Sequence, residues 1–521
     1  MTAITPATRP EDERLGIGAS ITYGLQHVLT MYGGIIAVPL IIGQAAGLDP
    51  TAIGLLVASG LFIGGLATVL QSLGVPFFGS QLPLVQGVSF AGVATMLAIM
   101  NTGDLEGASS EAKLQAVFGA VIAASVIGLI IAPFFAKIVK FFPPVVTGVV
   151  ITTIGLSLMP VAAGWAMGGA GSEGYGSVEN IVLAAVTLVI VLALSKVGVA
   201  TISRLSILLA IVIGTVIAAI MGKVDFSGVA EGGIVALPTP FAFGTPTFQV
   251  GAIVSMLVVV LVIMTETTAD IIAVAEIVDT DVTPRRIADG LRADMISSAV
   301  APVFNSFTQS AFAQNVGLVA ITGVRSRFVV TAGGVILVLL GLLPVVGGVV
   351  AVIPPPVLGG AGIVLFGSVA AAGIRTLSTV KYDGNMNLII VAAGIAFGIL
   401  PEVEPEFYSG FPTAVQIIFG SGISSAAIVA VLLNLLFNHF TKGTPASPSV
   451  FAAGTGRVIT YKQIKHLRDG DYVKDGKLHT ADGDVVPVVT KEQVLAVVEA
   501  QDAGEIQSKD DVERIINDAK G

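Results

Sequence analysis

Apolar runs separated by short polar connections recur from Ile17 to Phe440, most of them near the length of about 20 residues that spans a bilayer as a helix. The first seven candidate spans are Ile17 to Ile42, Ala52 to Leu73, Leu84 to Met100, Leu114 to Phe135, Val145 to Met159, Ile181 to Leu194 and Ser206 to Ile220. The second seven are Val250 to Val278, Ile287 to Val303, Phe312 to Ile321, Phe328 to Val350, Val357 to Ala372, Leu388 to Leu400 and Ala414 to Phe440. The pattern predicts an all-α polytopic membrane protein of 14 transmembrane segments. From Thr441 the hydropathy collapses, and Asp469-Gly470, Asp475-Gly476 and Asp482-Gly483 mark turns. Residues 441–521 therefore read as a soluble tail, with short strands followed by a helix from about Lys491.

Basic residues test the count, because they collect on cytoplasmic loops. With the N-terminus inside, Lys137, Lys140, Lys196, Arg204, Arg285, Arg286, Arg292, Arg325, Arg327, Arg375 and Lys381 fall near the inner face, and only Lys113 and Lys223 fall outside. Both tails, 1–16 and 441–521, are then cytoplasmic, and the chain is placed as a multi-pass protein of the cell inner (plasma) membrane. Two spans are broken: segment 3 opens Pro83-Leu-Val-Gln86-Gly87-Val-Ser89-Phe90, and segment 10 opens Phe312-Ala-Gln314-Asn315-Val-Gly317. We expect short β-strand-like breaks there. Pro143-Pro144-Val-Val146-Thr-Gly148 is echoed by Pro354-Pro355-Pro-Val357-Leu-Gly359. Seven spans per half is an odd number, so the two repeats, about 17–222 and 248–440, must be inverted.

Composition agrees. The 521 residues are 54% hydrophobic and 12% charged, with a mean hydropathy of +0.91, against about 25% charged in soluble domains. Sixty-two glycines suit closely packed membrane helices. The net charge of -9 says little about partners, because the acids concentrate in the tails and on outer loops; no nucleic-acid partner is expected. No cysteine is present, so disulfides and thiolate metal sites are excluded. The first sixteen residues lack a small-residue cleavage pattern, and no removable signal is expected. The histidines, His27, His439, His466 and His479, form no close ligand cluster, and no phosphate-binding glycine loop precedes a helix. Neither a metal nor an enzyme is indicated.

An ionisable group inside a span is costly, by about 2.5–3.5 kcal/mol on insertion scales, and marks function by default. Glu266 is such a residue, Asp270 follows one turn later on the same face, and Asp294 lies in the next span. Two carboxylates this close in low dielectric resist being charged together, which suits proton coupling. Hydrogen bonds to Thr265, Thr267 or Thr268 are the competing, structural reading, as an ion pair with Arg292 or a helix cap is for Asp294. His27, after Gln26 in the first span, is either a proton carrier or a structural hydrogen-bonding group. Gln314 and Asn315 offer amides at the broken segment; with Glu266 they suit a flat heterocycle rich in hydrogen-bonding groups, and Phe90 would stack on it or simply pack.

Gln314-Asn315-Val-Gly317 followed by Thr322-Gly323 resembles the signature of the nucleobase-ascorbate transporter family, also called nucleobase cation symporter 2. Gln26-His27, Thr265-Glu266-Thr267-Thr268-Ala269-Asp270 and Phe304-Asn305-Ser306-Phe307 support the likeness, which runs from about Gly16 to His439. The resemblance implies core segments 1–4 and 8–11 that move against gate segments 5–7 and 12–14 in a homodimer. It also implies substrate binding by Glu266, Gln314, Ser89, Phe90 and Asn315, with His27, Asp270 and Asp294 serving affinity or proton coupling. No cofactor is implied beyond a coupling ion, taken as the proton, with sodium as the other choice. Gln314 with Thr322-Gly323 looks like the xanthine and urate branch; uracil-type members tend to carry Glu there. Ala269 departs from the Gly that many relatives carry. The alternatives are a pyrimidine permease of the same family or an anion transporter of the same fold, which would want arginine or lysine, or a bare pair of helix N-termini, at the breaks, where this chain has amides and a carboxylate.

Overall fold

Apolar runs become helices, and their ends follow local chemistry. The computed structural model describes residues 9–102, 105, 107–135, 141–169, 171–226, 229, 233, 235–382 and 386–439, with short pieces between 459 and 518. Helix α1 (Ile17–Ala46) stops at Gly47, whose φ of 78° suits glycine. Asp49 then caps α2 (Pro50–Leu73), its carboxylate accepting from Thr51 N at 2.8 Å and Ala52 N at 3.0 Å. The first half continues with strand β1 (Gln86–Val88), α3 (Val93–Met100), α4 (Ser110–Ile131), α5 (Pro144–Ser157), α6 (Met159–Ala166), α7 (Val178–Lys196), the short α8 (Ala200–Arg204) and α9 (Ser206–Ile220). The second half comprises α10 (Val250–Val278), α11 (Pro284–Val300), β2 (Gln309–Ala311), α12 (Ala313–Thr322), α13 (Arg327–Gly341), α14 (Pro344–Ala351), α15 (Pro355–Leu377), α16 (Asn387–Val403), α17 (Thr413–Gly420) and α18 (Gly422–Asn434).

Among the described residues, seven helices are long and apolar enough to cross a membrane, or up to nine if each bent pair is one span. Two expected spans are such pairs. Phe328 to Val350 is α13 and α14, bent by 78°, and Ala414 to Phe440 is α17 and α18, bent by 84°. Pro344 cannot donate a backbone bond to the preceding turn, which explains the first bend. At the second, Ser421 leaves helical geometry and caps α18 through Ser424 N. Segment 9 is α11, whose Arg285, Arg286, Asp289 and Arg292 make its first half polar.

Glycine sets how closely these helices approach. A methyl group on Gly65 of α2 would lie 2.5 Å from Val338 N and 2.6 Å from Gly334 O of α13. A second group joins α5 and α15, where a methyl at Gly155 would sit 2.6 Å from Phe366 O. Backbone contact of this kind replaces the hydrophobic drive that is missing between helices in lipid. The core lies around α1, α2, α4 and α10, with Met31, Ile35, Leu56, Phe118 and Val260 fully buried.

The N-terminal segment, expected as a tail, is docked from Arg9 onward. Glu11 is completely buried and accepts from Arg286 Nη2 at 2.5 Å and Thr280 Oγ1 at 3.3 Å. Asp12 accepts from Arg327 Nε at 2.6 Å, while Ser326 Oγ donates to Glu13 O. The guanidinium groups of Arg14 and Arg327 lie over Phe328. Burial pushes the Asp12 carboxyl up, but Arg9 and Arg327 outweigh it and hold the group below its ordinary value.

The second unit, residues Tyr382–Asn385 and Gly443–Gly521, holds short strands, as expected for the tail. Strands β4 (Tyr472–Lys474), β5 (Lys477–His479) and β6 (Val485–Val486) form an antiparallel sheet, and β3 (Ile459–Thr460) pairs in parallel with β7 (Val488–Val489). The three expected turn pairs, Lys137, Lys140, His466 and most of the helix expected from Lys491 lie outside the described residues.

Candidate functional site

The two broken segments meet in the apolar interior as a two-stranded antiparallel sheet. Gln86 faces Ala311, Gly87 faces Ser310 and Val88 faces Gln309. Bonds from Ser89 N to Thr308 O at 2.8 Å and from Phe312 N to Val85 O at 3.0 Å extend the ladder. Each strand runs directly into a short helix, so the sheet carries one half-helix start at each end: the turn Phe90–Gly92 leading to α3, and α12 beginning at Ala313. Freed backbone N–H groups at such starts favour partial negative charge on a ligand.

The sheet needs a backbone without side chains at its centre. A methyl at Gly87 would lie 2.7 Å from Phe312 Cε2, and one at Gly34 of α1 would lie 2.8 Å from Phe312 Cε1 and 3.6 Å from Phe90 Cε2. Phe312 and Phe90 thus share the floor beside α1. Phe90 is half-buried and meets Phe366 of α15 edge-on, with centroids 5.9 Å apart at 77°. Ser89 is buried, and its Oγ accepts from Ala91 N at 3.2 Å, capping the turn.

On the other start, Asn315 is fully buried and its Nδ2 donates to His27 Nδ1 at 3.0 Å and to His27 O at 3.1 Å. The acceptor role of Nδ1 leaves the His27 ring proton on Nε2. Gln314 is exposed and makes no hydrogen bond among the described residues. At Gly317, less than one turn on, an added methyl group would meet nothing within 4 Å.

Helix α10 touches both starts: it packs against the Phe90–Gly92 turn, α3, β2 and α12. Thr267 Oγ1 accepts from Ala311 N at 3.4 Å, which brings Glu266, its neighbour, level with the β2–α12 junction. Ile271, Val274 and Val278 of α10 share a buried apolar cluster with Val316 and Val319 of α12, so the two helices pack together. Glu266 and Asp270 are each half-buried, and neither takes a hydrogen bond among the described residues. Asp294 differs: it is fully buried, and its Oδ2 accepts from Thr267 Oγ1 at 2.5 Å. Arg292 pairs instead with Asp289. Ser89, Phe90, Gln314, Asn315 and His27 therefore lie around one small sheet; Glu266 and Asp270 line the helix beside it, and Asp294 sits behind it.

Sequence reasoning passed over the groups that hold the strands. Thr68 of α2 and Ser298 of α11 are both fully buried and hydrogen-bonded to Gln86 and Gln309 respectively. Their only sequence signals are a single threonine between apolar residues in α2 and a Ser297-Ser298 pair in the mixed helix α11.

The chain matches the Permease family over residues 18–407. It is 39% identical over 429 residues to a xanthine permease of Bacillus subtilis, covering 82% of this chain and 96% of the relative. It is 40% identical over 437 residues to a uric acid transporter of Escherichia coli, covering 83% and 89%. In fold it is similar to a structure of SLC26A9, with a TM-score of 0.56 at 13% identity, covering 81% of this chain and 66% of that one. The murine Solute Carrier 26 family member A9 anion transporter in the inward-facing state gives 0.54 at 14%, covering 82% and 69%. With a match spanning most of the bundle and relatives at this identity, the chain belongs to the Permease family and to the nucleobase-ascorbate transporters, as a membrane transport protein rather than an enzyme.

Proposed function

We propose that the protein is a proton-coupled symporter that imports a purine base, xanthine or urate or both, by elevator-type alternating access. The observation that carries this reading is the set of side chains that make no hydrogen bond among the described residues: Glu266, Asp270 and Gln314 around the two half-helix starts. A carboxylate accepts ring N–H protons, and a carboxamide pairs with the imide edge of a flat oxopurine. The relatives' names, a xanthine permease and a uric acid transporter, support the substrate class. Asn315, held by His27, sets the angle of α12, while Ser89 and Phe90 line the opposite start. Asp270 and Asp294 provide further carboxylates for proton movement.

The architecture proposed is fourteen segments in two inverted repeats, core 1–4 and 8–11 against gate 5–7 and 12–14, in a homodimer with both termini cytoplasmic. Clustering of Arg9, Arg286 and Arg327 at one end of the bundle supports that orientation. Anion transport on the same fold is disfavoured, because the half-helix starts are accompanied by the carboxylate of Glu266 and the amides of Gln314 and Asn315, with no lysine or arginine in residues 80–100, 250–278 or 305–324 to balance an anion. The test is uptake of radiolabelled xanthine and urate by cells expressing the chain, with and without a protonophore. Glu266→Gln is expected to abolish or uncouple uptake at unchanged membrane abundance. Uptake that is absent, or indifferent to the proton gradient, refutes the proposal.

A further inference from the structure

The register of the small sheet creates a problem that two hydroxyls solve. Bonds at Ser89–Thr308 and Phe312–Val85 place residues 85, 87 and 89 on the paired side of β1, and 308, 310 and 312 on that of β2. Gln86 and Gln309 therefore turn their backbone N–H and C=O outward, to open edges in an apolar interior, where unpaired groups are costly. Thr68 Oγ1 accepts from Gln86 N at 2.9 Å and shares its one proton between Gly64 O of its own helix at 2.8 Å and Gln86 O at 3.1 Å. Ser298 Oγ accepts from Gln309 N at 2.8 Å and lies 3.3 Å from Gln309 O as donor. A hydroxyl is both donor and acceptor, so one small side chain closes both groups of a residue.

The two strand contacts correspond in position. Gln86 and Gln309 each open their strand, and each stands three residues before a half-helix start, at Ser89 and Phe312. We infer that Thr68 and Ser298 are positioning residues for substrate binding, each holding one strand and thereby the half-helix start that presents Ser89 and Phe90, or Gln314 and Asn315. The inference rests on the proposed reading of those starts as the purine site. Neither residue touches substrate. Their effect passes through the backbone of Gln86 and Gln309.

The test uses the full chain with Thr68→Val and Ser298→Ala, and with Thr68→Ser and Ser298→Thr as conservative rescues. Each lost hydroxyl strands a buried donor and acceptor, so KM for uptake is expected to rise about tenfold at matched membrane abundance. The rescues should return it to within about twofold of the parent. A role in stability alone would lower abundance and maximal rate and leave KM in place, and that result overturns the inference. Uptake absent from the parent chain would sink the purine reading alone; hydrogen–deuterium exchange on the purified protein then decides. Thr68→Val should speed exchange in a peptide over 84–92 and Ser298→Ala in one over 307–316, whereas exchange unchanged in both overturns the clamp.

Discussion

Replacing Arg286 by methionine is expected to destabilise the protein by about 3–5 kcal/mol, the range for removing one partner of a buried ion pair. The side chain is 12% exposed and its partner Glu11 is 0% exposed; Arg9 Nε, 3.7 Å from the same carboxylate, is itself 43% exposed, so a poorly compensated charge would be left inside the protein. Besides Glu11, the guanidinium donates to Ser80 O at 2.6 Å, Gln81 O at 3.0 Å and Asp281 O at 3.2 Å, so three backbone carbonyls lose their donor as well. An exposed pair would be worth only about 0.2–1 kcal/mol. The assay is unfolding of the purified chain in detergent, run on Arg286→Met, Glu11→Gln and the double variant. Neutralising Glu11 in the methionine background should recover a large part of the loss, because the buried charge is what costs most. A single variant within about 1 kcal/mol of the parent, or strictly additive effects, would refute the reasoning.

The other two expectations concern the docked segment and the signature helix. Asp12, held below its ordinary value by Arg9 and Arg327, contributes stability that is present above the unfolded value of about 3.9 and lost as pH falls through its folded value. Asp12→Asn should flatten the acid limb of the melting-temperature profile, and an unchanged limb refutes the assignment. Gly317→Ala meets no atom within 4 Å and lies inside α12, so it should leave the fold intact or stabilise it by about 0.4–1 kcal/mol. A lowered melting temperature would contradict the geometry.

Much of the bundle was legible because an apolar run of spanning length leaves few alternatives. The breaks at Gln86 and Gln314 were legible because amides and glycine interrupt that run. Bends were passed over: apolar runs continue on either side of them, and hydropathy does not register the breakers Pro344 and Gly420-Ser421-Gly422 that stand at the two corners. Asp294 was ambiguous beside Arg292 in sequence, yet residues two apart on a helix do not face each other, and Arg292 takes Asp289 at i–3. The N-terminal charges looked solvated because their partners, Arg286 and Arg327, stand 275 and 315 residues away. Thr68 and Ser298 stayed hidden for a related reason: a helical hydroxyl ordinarily bonds its own preceding turn, and only the strand register reveals the second acceptor.

The buried Glu11 also has a consequence for biogenesis. Arg286, its buried counter-ion, is synthesised 275 residues later, an interval on the order of 10–60 s at ordinary ribosomal speed. Until then the carboxylate has beside it only the half-exposed guanidinium of Arg9 and lacks the partner that permits its burial. Closure of that contact is thus a late event in assembly, and it reports that the second half of the bundle has been inserted.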